Sequence, residues 1–116
     1  MNDELKTGGL REFLLWLTRR RRRFRVSGRS MTPLLEPGQE VLINPAAYRH
    51  TLPQPGDIVV VRHPYQPHLR LIKRITDVLD EERYIVKGDN PLESTDSRSF
   101  GPVGFEHILG QVTSRF

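Results

Sequence analysis

The sequence predicts one small, mainly β domain led in by a short amphipathic helix, and three observations carry that expectation. Its 116 residues fit a single domain of ordinary size. From Val26 onward the apolar residues fall into short β-branched runs broken by Pro and Gly, the pattern of small all-β domains. Helical spacing occurs near the start, where Leu10, Phe13, Leu14 and Leu17 recur at i, i+3, i+4 and i+7.

The helix is expected over residues 10–23. Its stripe can dock onto the body of the protein, onto a partner, or onto an anionic membrane surface, because a basic cluster, Arg19 to Arg23, follows it. Residues 1–25 therefore read as a basic amphipathic N-terminal segment and residues 26–116 as the domain proper. Strands are expected at Val41–Ile43, Asp57–Arg62, Leu69–Val78, Arg83–Lys87 and Ile108–Val112. Pro37-Gly38 and Pro55-Gly56 mark turns, and the polar Asp80-Glu81-Glu82 closes a hairpin between the third and fourth runs. Residues 88–107 are rich in Gly, Pro and Ser without a period, and read as an extended, ordered loop.

Charge is unevenly placed. Met1 to Arg29 holds nine Lys/Arg against three Asp/Glu, whereas Ser30 to Phe116 holds nine against eleven, so the basicity belongs to the leading segment. Cysteine is absent, which removes disulfides, thiolate metal sites and cysteine nucleophiles. The apolar stretch Phe13–Leu17 is far shorter than the ~20 residues of a membrane span, and a secretory signal carries its charges before the apolar run, not after it. A cytoplasmic protein, soluble or peripherally attached to a membrane, is the expectation. Five consecutive arginines also supply phosphate affinity, but the strands carry no array of aromatics for stacking on bases. Nucleic acid is accordingly not the expected partner.

Three segments can carry chemistry. Ser30 lies in a Gly-x-Ser-Met-x-Pro turn, where Gly28 lets the backbone approach a substrate and Met31 and Pro33 fix the turn. A serine hydroxyl is a weak nucleophile until a base takes its proton. Lys73 is the candidate base: the chain has fifteen Arg but only three Lys, and this one is flanked by Leu71, Ile72 and Ile75. Desolvation lowers a lysine's pKa, whereas a guanidinium stays protonated. Histidine is the commoner base, but His50, His63, His68 and His107 sit in Pro-rich or polar surroundings and read as surface or loop residues. In the third segment, Asp89, Asp96 and Arg98 can form an ion-pair and hydrogen-bond set, and Ser94 offers a hydroxyl able to orient an amine. Gly88-Asp89-Asn90 alone is a turn signal.

In that order, the Gly-x-Ser-Met-x-Pro at 28–33, the Lys-Arg at 73–74 and the Gly-Asp-Asn…Ser-x-Asp-Ser-Arg-x-Phe-Gly at 88–101 resemble the type I signal peptidase family of serine-lysine peptidases. The resemblance spans about residues 26–112. It implies a small β-fold of the signal-peptidase and LexA-like kind, with Ser30 as nucleophile, Lys73 as general base, Ser94 hydrogen-bonded to the lysine, and Asp96 with Arg98 buttressing the site. Gly28, Met31, Pro33, Asp89 and Asn90 would support it structurally. The Ser30 N–H would hold the oxyanion. Some family members add a hydroxyl two residues before the nucleophile, where this chain has Gly28, so backbone donors, Ser27 or another group would have to serve.

Family members ordinarily carry a membrane anchor and a sizeable insertion after the lysine box; here no anchor is expected, and 14 residues separate Lys73 from Gly88. That compactness and the run Gly-Asp-Asn-Pro-x-x-Ser-Thr-Asp-Ser-Arg-x-Phe-Gly-Pro-Val are similar to the nickel-type superoxide dismutase maturation proteases. The implied activity is removal of an N-terminal leader from a cytoplasmic precursor of nickel superoxide dismutase, by a peptidase needing no metal or other cofactor. A minimal signal peptidase working at a membrane surface through residues 10–25 is the alternative. A self-cleaving repressor is disfavoured, since no DNA-binding domain and no Ala-Gly bond is present.

Overall fold

The computed structural model describes residues 5–80 and 82–116. Its architecture is a seven-stranded sheet with every neighbouring pair antiparallel. Helix α1 spans Leu10–Leu17, followed by strands β1 (Arg22–Arg25), β2 (Glu40–Asn44), β3 (Ile58–Arg62), β4 (Arg70–Val78) and β5 (Arg83–Lys87). A short helix α2 (Ser97–Phe100), strand β6 (Val103–Gly104) and strand β7 (Ile108–Arg115) complete the chain. The spatial order is β1-β2-β7-β3-β4-β5-β6.

Both faces of the sheet are covered. Along β3, Ile58 and Val60 join one apolar cluster with Met31, Leu34, Leu35, Val41 and Ile43, while Val59 and Val61 join another with Ile75, Tyr84, Val86, Phe100 and Val103. Side chains alternate between faces along a strand, so an uninterrupted apolar run is what a central, doubly covered strand requires. The hairpin of β4 and β5 forms as expected, pairing Arg74 with Lys87 and Val78 with Tyr84. Arg83 pairs with Asp80 at its tip; Glu81 of the expected tip lies outside the described residues.

Three expectations are corrected. The helix expected over 10–23 stops at Leu17, where Thr18 caps it through its N–H to Leu14 O, and Arg19 turns the chain at φ 66°. Arg22–Arg25 then form β1 in register with Ile43–Glu40, so the basic run enters the sheet; tertiary pairing overrides the good helix propensity of arginine. Residues 88–107 are not wholly extended. They hold a 3-10 turn at Pro91–Glu93, α2, β6 and a second 3-10 turn at Phe105–His107, set by side-chain caps such as Asp96 accepting from Arg98 N that leave no periodic trace. His63 is buried rather than at the surface: its Nδ1 accepts from the N–H groups of Tyr65 and Gln66, and its ring packs 4.8 Å from that of Phe100.

Candidate active site

The nucleophile-type turn follows β1 directly. Gly28 sits at φ +74°, a left-handed conformation that favours glycine, so a serine or threonine in this turn would be strained. Met31 is fully buried and, with Leu34 and Leu35, anchors the turn in the first apolar cluster; Leu35 N donates to Met31 O. Ser30 is half-buried. Among the described residues neither its hydroxyl nor its N–H is hydrogen-bonded.

Lys73 comes from the middle of β4, opposite Val59 of β3. It is 2% exposed, and its strand partner Val59 belongs to the second apolar cluster. Its Nζ donates to Ser94 Oγ at 3.0 Å. Burial pushes the Lys73 ammonium down to about 8; Asp96 opposes that fall and Arg98 adds to it.

Ser94 is held on three sides. Its hydroxyl donates to Asp96 Oδ2 at 2.6 Å and accepts from Lys73 Nζ and from Gly88 N at 3.2 Å. With its single proton committed to Asp96, Ser94 can only accept from the lysine. A neutral Lys73 amine then spends one N–H on Ser94 and keeps its lone pair for another proton donor.

Asp96 is fully buried and receives Arg98 Nε at 3.0 Å, Arg98 NH2 at 2.6 Å, Arg98 N at 3.0 Å and Gly88 N at 2.9 Å. Burial alone would raise its pKa; Arg98, Ser94 and the two N–H groups outweigh that and hold the carboxyl well below the usual carboxylate range. Such charge-assisted bonds are the strong ones.

Gly88 is where the three segments meet. A Cβ there would lie 2.6 Å from Ser30 O, 2.8 Å from Ser94 Cβ and against Ser94 Oγ. Next to it, Asn90 ties the serine turn down: its N–H donates to Ser30 O at 2.8 Å and its Nδ2 to Arg29 O and Thr32 Oγ1. Of the residues singled out in the sequence, Ser30, Lys73, Gly88, Asn90, Ser94, Asp96 and Arg98 are thus brought together, with Met31 and Pro33 in the same turn as Ser30. Asp89 departs from the expected set. It pairs in a two-point fork with Arg74, Nε to Oδ1 and NH2 to Oδ2 both at 2.9 Å, not with Arg98. Read from the sequence, Arg74 has a place in the Lys-Arg pair at 73–74 but no role, and Thr32 goes unremarked; the partners of both are distant in the chain.

Over residues 13–78 and 76–116 the chain matches the family described as signal peptidase, peptidase S26. It belongs to that family. Among curated relatives, it is 36% identical to the Mitochondrial ATP-independent inner membrane protease subunit 1b of Arabidopsis thaliana, covering 76% of this chain and 65% of that protein. It is 33% identical to Mitochondrial inner membrane protease subunit 2 of Danio rerio, over 77% of this chain and 60% of the relative. Signal peptidase I of Pseudomonas aeruginosa is 30% identical, over 77% of this chain and 39% of that protein. The chain therefore spans less than two thirds of the length of these peptidase S26 relatives. The mainly β fold with its short N-terminal helix is consistent with a small fold of this family, and no helix of the described residues is long and apolar enough to cross a membrane.

Proposed function

We propose that this chain is a serine endopeptidase of the signal-peptidase type, with Ser30 as nucleophile and neutral Lys73 as general base, removing an N-terminal leader from a precursor protein. The observation that carries the reading is Lys73: a buried amine with one hydrogen-bond partner among the described residues, in a family of peptidases. In the first step Ser30 Oγ attacks the scissile carbonyl carbon while its proton passes to Lys73 Nζ. The Ser30 N–H, unbonded among the described residues, would receive the oxyanion; one such donor is worth roughly 10²–10³ in rate. Lys73 then gives the proton to the departing amine as the C–N bond breaks, leaving an ester on Ser30. Water, deprotonated by Lys73, attacks that ester, and the returning proton restores the serine.

An extended substrate has a strand edge to join. Pairing of β5 with β4 begins at Arg74, so among the described residues Arg70–Lys73 have strand partners on the β3 side alone, and an added strand would gain main-chain hydrogen bonds there. For the substrate itself, the short Lys73-to-Gly88 spacing and the 88–103 run support a nickel superoxide dismutase precursor, with a cytoplasmic location. The outward apolar face of α1 favours a second reading, processing at a membrane surface.

Mass spectrometry of a nickel superoxide dismutase precursor and of a generic signal-peptide substrate, each incubated with the wild-type chain and with Ser30→Ala, tests both. Serine-dependent trimming of the precursor alone is the expected result. Cleavage of the signal peptide alone would move the function to the membrane surface, and cleavage of neither would contradict the peptidase reading.

A further inference from the structure

The turn that carries Ser30 is pinned from two directions. In front, Asn90 donates to the carbonyls of Ser30 and Arg29 and to the Thr32 hydroxyl, and this pin belongs to the same loop as Gly88 and Ser94. Behind, Arg115 of β7, 81 residues from Leu34 in the chain, donates from its NH2 to Leu34 O at 2.8 Å. Leu34 precedes Leu35, whose N–H closes the turn on Met31 O, and the side chains of all three lie in the first apolar cluster. The main chain of Arg115 is engaged as well. Its N–H donates to Lys6 O at 2.8 Å and its carbonyl accepts from Gly8 N at 2.9 Å, so residues 6–8 form a strap beside it, with Thr7 in a parallel bridge to Arg115. Leu5, at the head of the strap, is buried in the cluster that holds Met31, Leu34 and Leu35. One residue therefore joins the strap to the rear of the serine turn.

We propose that Arg115 is a positioning residue for Ser30, and that through its main chain it makes the placement of the nucleophile depend on the docking of residues 5–8. The inference rests on the reading of Ser30 as nucleophile. A guanidinium-to-carbonyl bond is charge-assisted and stronger than a neutral one. Among the described residues no other group donates to Leu34 O, so removing the guanidinium leaves that carbonyl unpaired and the rear of the turn free to shift. Misplacing a reacting group by about 1 Å can cost ~10²-fold in rate. The two pins govern different things. Asn90 ties the turn to the loop that holds Ser94 and Asp96, whereas Arg115 makes no bond to Lys73, Ser94 or Asp96 among the described residues. Loss of the rear pin therefore slows attack by the serine without altering the base.

The test compares the full chain with its Arg115→Met, Arg115→Lys and Leu5→Ala variants, in kcat and KM for cleavage of a leader-containing precursor across pH and in hydrogen–deuterium exchange. Arg115→Met is expected to lower kcat by about tenfold with KM and the acid limb unchanged. Exchange should rise in residues 29–35 while β3 and β4 keep their protection. Arg115→Lys, whose ammonium can also donate to Leu34 O, should recover most of the loss, and Leu5→Ala should show the signature of Arg115→Met more weakly. Wild-type kcat and exchange in Arg115→Met would overturn the proposal. So would a lysine variant no better than the methionine one, or protection lost across the whole sheet, which would make the residue a matter of stability alone. An unchanged Leu5→Ala would overturn the link to residues 5–8. Failure of the peptidase reading is seen separately, as absence of Ser30-dependent cleavage by the wild type; exchange in residues 29–35 still decides whether Arg115 holds the turn.

Discussion

Lys73 Nζ meets Ser94 Oγ at 3.0 Å, and the proton of that serine is committed to Asp96 Oδ2 at 2.6 Å. The carboxylate thus acts on the lysine through a hydroxyl rather than by an ion pair. A direct carboxylate contact would hold the lysine protonated; a neutral acceptor lets burial lower its pKa and still orients it.

Ser94→Ala removes the orienting acceptor without removing the base. The expected outcome is a kcat lower by about 10- to 100-fold with KM little changed, because the contact aligns the proton transfer and does not touch substrate. A changed KM with kcat intact would assign Ser94 to substrate binding.

Lys73→Arg should be as inactive as Lys73→Met, since a guanidinium does not give up its proton near neutral pH. The two should differ in stability. The unfolded lysine keeps its proton to the ordinary value of 10.5, and the folded one releases it at about 8. Between those values the unfolded state holds more protons, so stability rises with pH; below 8 the full cost of the buried charge is present, about 3 kcal/mol. Lys73→Met removes that cost. Thermal melts should show the variant more stable than wild type at pH 7, by several degrees, with the advantage shrinking above pH 8 and gone beyond the unfolded value. An arginine variant with appreciable activity would remove Lys73 as base.

Asp96 and Arg98 bias the lysine in opposite senses. Asp96→Asn takes away a charge that raises its pKa, so the acid limb of kcat/KM should move to lower pH. Arg98→Gln takes away a charge that lowers it, and the limb should move up. Shifts in the same direction for both would show that packing, not charge, dominates their effect.

Gly88→Ala places a methyl group between Ser30 O and the Ser94 side chain. Overpacking of this kind costs about 1–3 kcal/mol, and here the strain falls on the nucleophile's turn. Activity should fall by about 10²-fold or more while the sheet remains folded, measurable as unchanged far-ultraviolet circular dichroism beside lost turnover. Near-wild-type activity would mean that the close approach at Gly88 is not what aligns the site.

What the sequence discloses is largely what is local. The β-branched runs announce β3, β4 and β5, and the apolar flanks of Lys73 announce its burial, because both are properties of residues next to one another. The i, i+3, i+4, i+7 spacing locates the start and the stripe of α1, yet the direction in which the stripe points is set by the Thr113 hydroxyl donating to Glu12 and by Phe116 against Trp16, about a hundred residues away. The same holds for Arg22–Arg25, whose strand exists because β2 lies beside it, and for Arg74 with Asp89, which the β4–β5 hairpin brings into register. The 88–101 loop has no period to read, being built from side-chain bonds of Asp96, Ser94 and Ser97 to backbone N–H groups.

The measurement that bears most directly on the dyad is kcat/KM for cleavage of a leader-containing precursor as a function of pH, with Ser30→Ala as the blank. The acid limb should bend near pH 8, the value at which buried Lys73 becomes a neutral base. Activity that climbs without a bend to about pH 10, the range of an ordinary solvated lysine, or that persists in Ser30→Ala, would contradict the account.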